Sequence, residues 1–246
     1  METRPVILYE DNHILVVRKP AGMLTQADHS GDIDLLTWLK QDIAERYQKP
    51  GQVFLGLVHR LDRPVGGLLV VARTSKAASR LSAQVRERRI IKEYLTVVQG
   101  CVQPPSGEWH DYLVKDRSQN QVTVADAGEG KEAWLAYRRL AWRPDLDQSL
   151  LAIRLGSGRG HQIRVQLASR GHPICGDRRY QTEAVDAARE GPWVALHAAH
   201  LAFEHPVRRT WCSFSDAPPQ EKPWSDYPLT DSDLASIFSD KTVQPW

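Results

Sequence analysis

The chain has 246 residues, 41% of them hydrophobic and 25% charged, which excludes a fibre or a disordered segment and suffices to bury a core. Lys and Arg total 32 against 30 acids, a formal charge of +2, so affinity for a polyanion has to come from where the positive charge sits. Met1–Pro5 opens without an apolar signal-peptide core, and no segment approaches the roughly 18 apolar residues of a membrane helix, so a soluble, cytoplasmic protein without membrane contact is expected.

In chain order, Val6–Tyr9 and Ile14–Val17 flank the turn residues Asp11, Asn12 and His13 and predict a hairpin, ended by Lys19-Pro20-Ala21-Gly22. Leu35, Leu36, Leu39 and Ile43 recur at helical spacing and predict a helix over 33–47, capped by Asp32 or Asp34. The apolar run Val53–Val58 predicts a strand leading into His59, and Gly67–Ala72 a buried strand. Ser75 is the expected cap of a helix with Ala78, Leu81 and Val85 on one face and Arg80, Arg86, Arg88 and Arg89 on the other. Strands are expected at 90–99, 109–114, 121–124, 134–140 and 149–155, a helix over 160–170 with Ile163 and Leu167 inward, and a further apolar run at 196–203 before His205-Pro206. Beyond Pro218 the composition turns polar. The division expected is therefore a main domain, 1–217, and a polar C-terminal extension, 218–246, packed loosely but for a short helix near Leu234–Phe238.

The most chemically loaded stretch is His59-Arg60-Leu61-Asp62-Arg63-Pro64, where one carboxylate stands between two arginines. Neighbouring positive charge favours the anion, so Asp62 can serve as nucleophile or base while the arginines hold a polyanion. The blander alternative is a surface ion-pair cluster. Gly156–Arg164 opens a predicted helix with His161 and Arg164 one turn apart at its positive end. It is no dinucleotide fingerprint, since His161 stands where a glycine would be needed, and no phosphate-loop motif occurs. In Ile91-Lys92-Glu93-Tyr94 the strand period puts Lys92 and Tyr94 on one face, a surface for a stacked base beside a phosphate. Its alternative is a core tyrosine. Ser157 lacks nucleophile-elbow spacing, and His172 with Cys175 lacks the remaining ligands of a zinc deaminase. Cys101, Cys175 and Cys212 form no CxxC pair, so no metal site and a reducing compartment are expected.

Taken in order, several segments resemble the RluA-type family of RNA pseudouridine synthases: Lys19–Gly22, His59–Arg63, Ile91–Tyr94, Gly158–Val165 continuing to Gly171–Asp177, and Leu196–Ala198 with Leu201, Phe203, His205 and Pro206. The resemblance spans about residues 6–215. It implies an α+β fold with a central mixed, largely antiparallel sheet, flanking helices and a catalytic cleft. It also implies an isomerase that turns uridine into pseudouridine in structured RNA, transfer or ribosomal, with no metal or cofactor. On it Asp62 is the catalytic carboxylate, Tyr94 the ring that stacks on uracil, and Arg164 the arginine that pairs with the aspartate. Arg60 fills the space left by the flipped base. His59, Arg63, Lys19, Lys92, Arg159 and His161 are the implied RNA contacts.

Three departures stand out. Val65-Gly66-Gly67 follows Pro64 where the family usually has Thr-Ser-Gly, Gly160 stands for threonine, and Gln166 for histidine. They predict retained chemistry with an altered RNA-contacting surface or loop. The chain starts at the first hairpin, which leaves no room for a small S4-like module, and nothing in the pattern demands assembly, so a monomer with no obligate protein partner is expected. The rival reading is a non-catalytic RNA-binding or RNA-folding protein that keeps the cleft.

Overall fold

The computed structural model describes residues 4–48, 50–116, 118–181 and 193–239. They form two compact units, one built from the chain up to Ile91 with His200–Asp216, the other from Lys92–Ala199 with the residues from Ala217 onward.

The first unit opens with β1 (Val6–Glu10) and β2 (Ile14–Lys19), paired antiparallel. Asp11 shapes their turn, its Oδ1 accepting from the N–H groups of His13 and Ile14 at 2.8 and 2.9 Å. Helix α1 (Leu35–Arg46) starts at Asp34, whose carboxylate accepts from the Thr37 N–H at 3.1 Å. The apolar run 53–58 yields only the two-residue β3 (Gly56–Leu57), paired with β4 (Gly66–Ala72). β4 also pairs with β2 from Ile14↔Ala72 to Lys19↔Gly67. Helix α2 (Ser75–Arg86) is capped by Thr74 rather than Ser75, because the Thr74 hydroxyl receives the Ala77 N–H at 3.1 Å.

In the second unit β5 (Ile91–Gln99), β6 (Ser106–Asp116), β7 (Gln121–Ala125), β8 (Lys131–Arg143) and β9 (Gln148–Leu155) lie in the order β5-β9-β8-β6-β7, every pair antiparallel. Helix α3 is shorter than its sequence pattern suggested, Gln162–Ala168. Strand β10 (Leu196–Glu204) begins in this unit, and its residues from His200 onward belong to the first unit, where the edge strand β11 (Trp211–Ser215) pairs with them. β11 alternates strictly, with Cys212 and Phe214 turned inward.

The first unit's core shows why the pattern folds. Ile14 and Val16 of β2, Leu68, Val70 and Ala72 of β4, and Leu201 and Phe203 of β10 share one face and pack against Ala77 and Leu81 of α2. The second unit corrects the expected loose extension. Trp224 and Tyr227, in and after a short 3-10 turn, and Leu234 of α4 (Asp231–Ser239) are buried. The Tyr227 hydroxyl donates to the Gln148 carbonyl at 3.0 Å, and Arg143 and Arg138 donate to the carbonyls of Asp226 and Ile237. Apolar anchors spaced among polar residues hide that packing from composition. The fold is α+β, a largely antiparallel sheet flanked by few helices, and among the described residues no helix is long and apolar enough to cross a membrane.

Candidate active site

Proline and glycine stop β2, and the chain after Lys19 turns back to meet the loop that carries Asp62. Gly22, at φ +86°, donates its N–H to the Arg63 carbonyl at 2.8 Å, a left-handed turn that glycine adopts without a Cβ clash. The Thr25 hydroxyl donates to the Leu61 carbonyl at 2.8 Å and sits 3.3 Å from the Leu61 N–H, so both backbone groups of the residue before Asp62 are held. Arg63 adds a third brace, its Nε on the Gly22 carbonyl at 3.0 Å and its Nη2 on Asp32 at 2.6 Å. Asp62 is half-buried on this braced loop, while Arg60 and Arg63 on either side are exposed.

Lys19 revises its reading as an RNA contact. Its side chain is fully buried, with Nζ donating to the carbonyls of Met23, Pro20 and Arg63 at 2.7, 3.0 and 3.3 Å. It ties the two loops together from beneath. Burial pulls its ammonium from 10.5 down to about 7; the Asp62 carboxylate opposes that shift, and the Arg63 charge adds to it. Between about 7 and 10.5 the unfolded lysine keeps a proton that the folded one has released, so stability rises with pH across that window. Wild-type protein should therefore gain stability relative to Lys19→Met on going from pH 7 to 9, at up to about 1.4 kcal/mol per pH unit. Urea midpoints of both proteins along a pH series measure it; parallel curves would contradict it.

His59 is half-buried, and its Nε2 accepts the Val70 N–H at 3.1 Å, which ties the loop to β4.

In the second unit the loop 156–161 is organised by Gln162. Its Oε1 accepts from the Ser157 hydroxyl at 2.8 Å and the Arg159 N–H at 3.1 Å, and its Nε2 donates to the Trp134 carbonyl at 3.0 Å. Gly156 lies against the Trp134 ring, where a Cβ would come within 2.4 Å of three ring carbons. Gly156→Ala should thus cost about 1–3 kcal/mol by overpacking and disturb the adjoining loop; thermal denaturation reads the first effect and RNA turnover the second. Arg159 is exposed, with its Nε on the Glu132 carbonyl.

His161 precedes α3 in a left-handed conformation, φ +54°, so it does not share a helical turn with Arg164 as its spacing suggested. The two meet through Tyr180 instead. The Tyr180 hydroxyl receives the Val122 N–H at 3.0 Å and lies 2.7 Å from His161 Nδ1, and the Arg164 guanidinium stands over its ring at 5.2 Å. Arg164 is buried and held by Asp177 through two parallel bonds of 2.7 Å, Nε to Oδ2 and Nη2 to Oδ1. Sequence reasoning gave Asp177 no role, although Gly176-Asp177 lay inside the resembling segment; only the fold brings it to Arg164.

On β5, Tyr94 is 7% exposed and Glu93 is paired with Arg154 at 2.6 Å. Lys92 is half-buried, and burial lowers its pKa. A Cβ at Gly158 would lie 3.2 Å from its Nζ, which places the Lys92 charge beside the 156–161 loop.

A family model described as RNA pseudouridylate synthase matches residues 13–169, the stretch that contains Asp62, Tyr94 and Arg164. The chain belongs to the RNA pseudouridylate synthase family. The ribosomal large subunit pseudouridine synthase D of Zymomonas mobilis subsp. mobilis is 36% identical over 225 residues, 87% of this chain and 69% of that protein. The dual-specificity RNA pseudouridine synthase RluA of Escherichia coli O157:H7 is 33% identical over 206 residues, 82% of this chain and 88% of that one. The solved structure of Human RNA Pseudouridylate Synthase Domain Containing 1 matches the fold with a TM-score of 0.71 at 22% identity, covering 96% of this chain and 95% of the other. As a pseudouridine synthase of the RluA type, the protein is an RNA-modifying isomerase.

Proposed function

We propose that the protein isomerises particular uridines of a structured ribosomal or transfer RNA, with Asp62 as the catalytic carboxylate. It acts in the cytoplasm as a monomer, without cofactor or protein partner. The bond between uracil N1 and the ribose breaks, the base turns, and a carbon–carbon bond forms through C5, whose proton is released. Positive character develops on the sugar as the first bond breaks, and a carboxylate in a partly water-excluded site stabilises it. Attack on the sugar and removal of its 2′ proton both require Asp62 ionised. Arg164 is the cation assigned to keep it so, Tyr94 the surface for the uracil, and Arg60 the side chain that fills the vacated stack. His59, Arg63, Lys92, Arg159 and His161 are the assigned RNA contacts.

The observation that carries this reading is the bracing of the Asp62 loop, in which Lys19 and Gly22 bond the Arg63 carbonyl and Thr25 bonds Leu61, on either side of one half-buried carboxylate. The test is release of the C5 proton from uridine-labelled transcripts by purified protein, with pseudouridine mapped across cellular RNA in its presence and absence. Loss of a particular ribosomal or transfer RNA site on deletion identifies the substrate. No proton release and no lost site would overturn the reading.

A further inference from the structure

Away from the Asp62 loop, the first unit joins two basic segments that lie far apart in sequence. Gln84 of α2, 2% exposed, donates its side-chain amide to the Glu204 carbonyl at 2.8 Å and accepts the Glu204 N–H at 3.1 Å. Arg80 donates to the Pro206 carbonyl at 2.7 Å. These bonds fix the C-terminal end of α2 to the β10–β11 turn. A single carboxylate then sits between the two: Glu204 accepts Arg209 at 2.9 Å on one oxygen and lies 3.6 Å from Arg89 on the other. Arg86 and Arg88 are exposed on the helix side and Arg208 on the turn side, so arginines outnumber the carboxylates Asp11, Glu87 and Glu204 on this surface.

A solvated helix face explains part of this, because cations at the C-terminal end of α2 suit its dipole. It does not explain the turn, nor the backbone. Arg88 and Arg209 both adopt left-handed conformations, φ +56° and +61°, each at a chain reversal where glycine or asparagine is the unstrained choice. Both side chains are exposed, so core packing does not offset the strain. Arg209 spends one nitrogen on Glu204 at 2.9 Å, and both guanidinium groups stand at the solvent face of the joined segments.

We propose that this joined surface, the end of α2 with the β10–β11 turn, docks the phosphate backbone of the RNA substrate outside the reacting uridine. The inference rests on the proposed RNA substrate. It assigns Arg88 and Arg209 as backbone contacts, which position an RNA without reading its sequence.

The double variant R88G/R209G tests it, since glycine relieves the left-handed strain while removing the charges. Binding of a labelled RNA hairpin should weaken at least about tenfold at 0.15 M salt, and the slope of log affinity against log salt should fall by about 2. Its thermal midpoint should equal or exceed that of wild type, and R88K/R209K should bind like wild type. Unchanged affinity and slope in the glycine variant, with wild type still converting ribosomal RNA, would overturn the docking surface and leave the proposed function standing. Equal weakening in the lysine variant, with a lowered midpoint, would make the arginines structural and overturn it as well. A wild-type protein that neither binds the hairpin nor releases C5 protons would overturn both.

Discussion

Asp62→Asn is expected to abolish isomerisation, by about a thousandfold or more, while leaving the fold and RNA binding intact. Asparagine has the shape of aspartate but cannot carry the negative charge on which both routes through this residue depend. Backbone bonds hold the loop: Thr25 grips Leu61, Gly22 and Lys19 grip the Arg63 carbonyl, and Arg63 grips Gly22. The thermal midpoint should therefore move little. Lys19 supplies an independent readout, because the Asp62 charge is what opposes the lowering of its pKa by burial. In the variant, Lys19 should titrate below its wild-type value of about 7, and the pH at which stability begins to rise should move down with it. Tritium release from C5-labelled RNA measures turnover and an RNA gel shift measures binding. Residual turnover near wild type would remove Asp62 from the chemistry.

The element pattern was legible in the sequence because burial follows strand and helix periods. β2, β4 and β10 are buried on both faces, so they read as short continuous apolar runs, of which Ile14 and Val16, Leu68 and Val70, and Leu201 and Phe203 supply the face turned to α2. The illegible parts have physical reasons. The run 53–58 is apolar enough for a strand, yet Phe54 is 51% exposed and only Gly56–Leu57 find a partner; apolar character does not create a pairing edge. Lys19 looked like a surface cation because lysines are rarely buried, and three carbonyl partners with the Asp62 charge make its position tolerable. His161 was placed in a helix because spacing carries no information about one residue's left-handed backbone.

The departures from the family pattern also change meaning. Val65 is 3% exposed and Gly66 begins the fully buried β4, so these positions alter the inside of the loop rather than an RNA-facing surface. Gln166, where the resemblance implied a histidine, is fully buried and donates to Asp111 at 2.6 Å, on a carboxylate that also takes Arg170 at 2.9 Å. Both substitutions concern how the scaffold is packed.

The Arg164–Asp177 pair yields the largest expected change in stability. Both side chains are removed from water, 5% and 0% exposed, and two parallel bonds satisfy the carboxylate and one edge of the guanidinium. Removing one partner strands the other as a buried charge, so Arg164→Met or Asp177→Leu alone should each cost about 3–5 kcal/mol. The double variant removes both desolvation penalties together and should recover most of that loss, giving a coupling energy of several kcal/mol in a double-mutant cycle. Recovery will be incomplete, because Asp177 Oδ1 also accepts the Arg179 N–H at 3.1 Å and a leucine leaves that donor unsatisfied, at about 1–3 kcal/mol. Activity should behave otherwise. A structural pair would regain turnover with stability, whereas Arg164 as the cation serving Asp62 predicts a double variant that is folded and inactive. Urea denaturation of the four proteins gives the cycle, and C5-proton release separates the roles. A stable double variant with wild-type turnover would confine Arg164 to holding the fold.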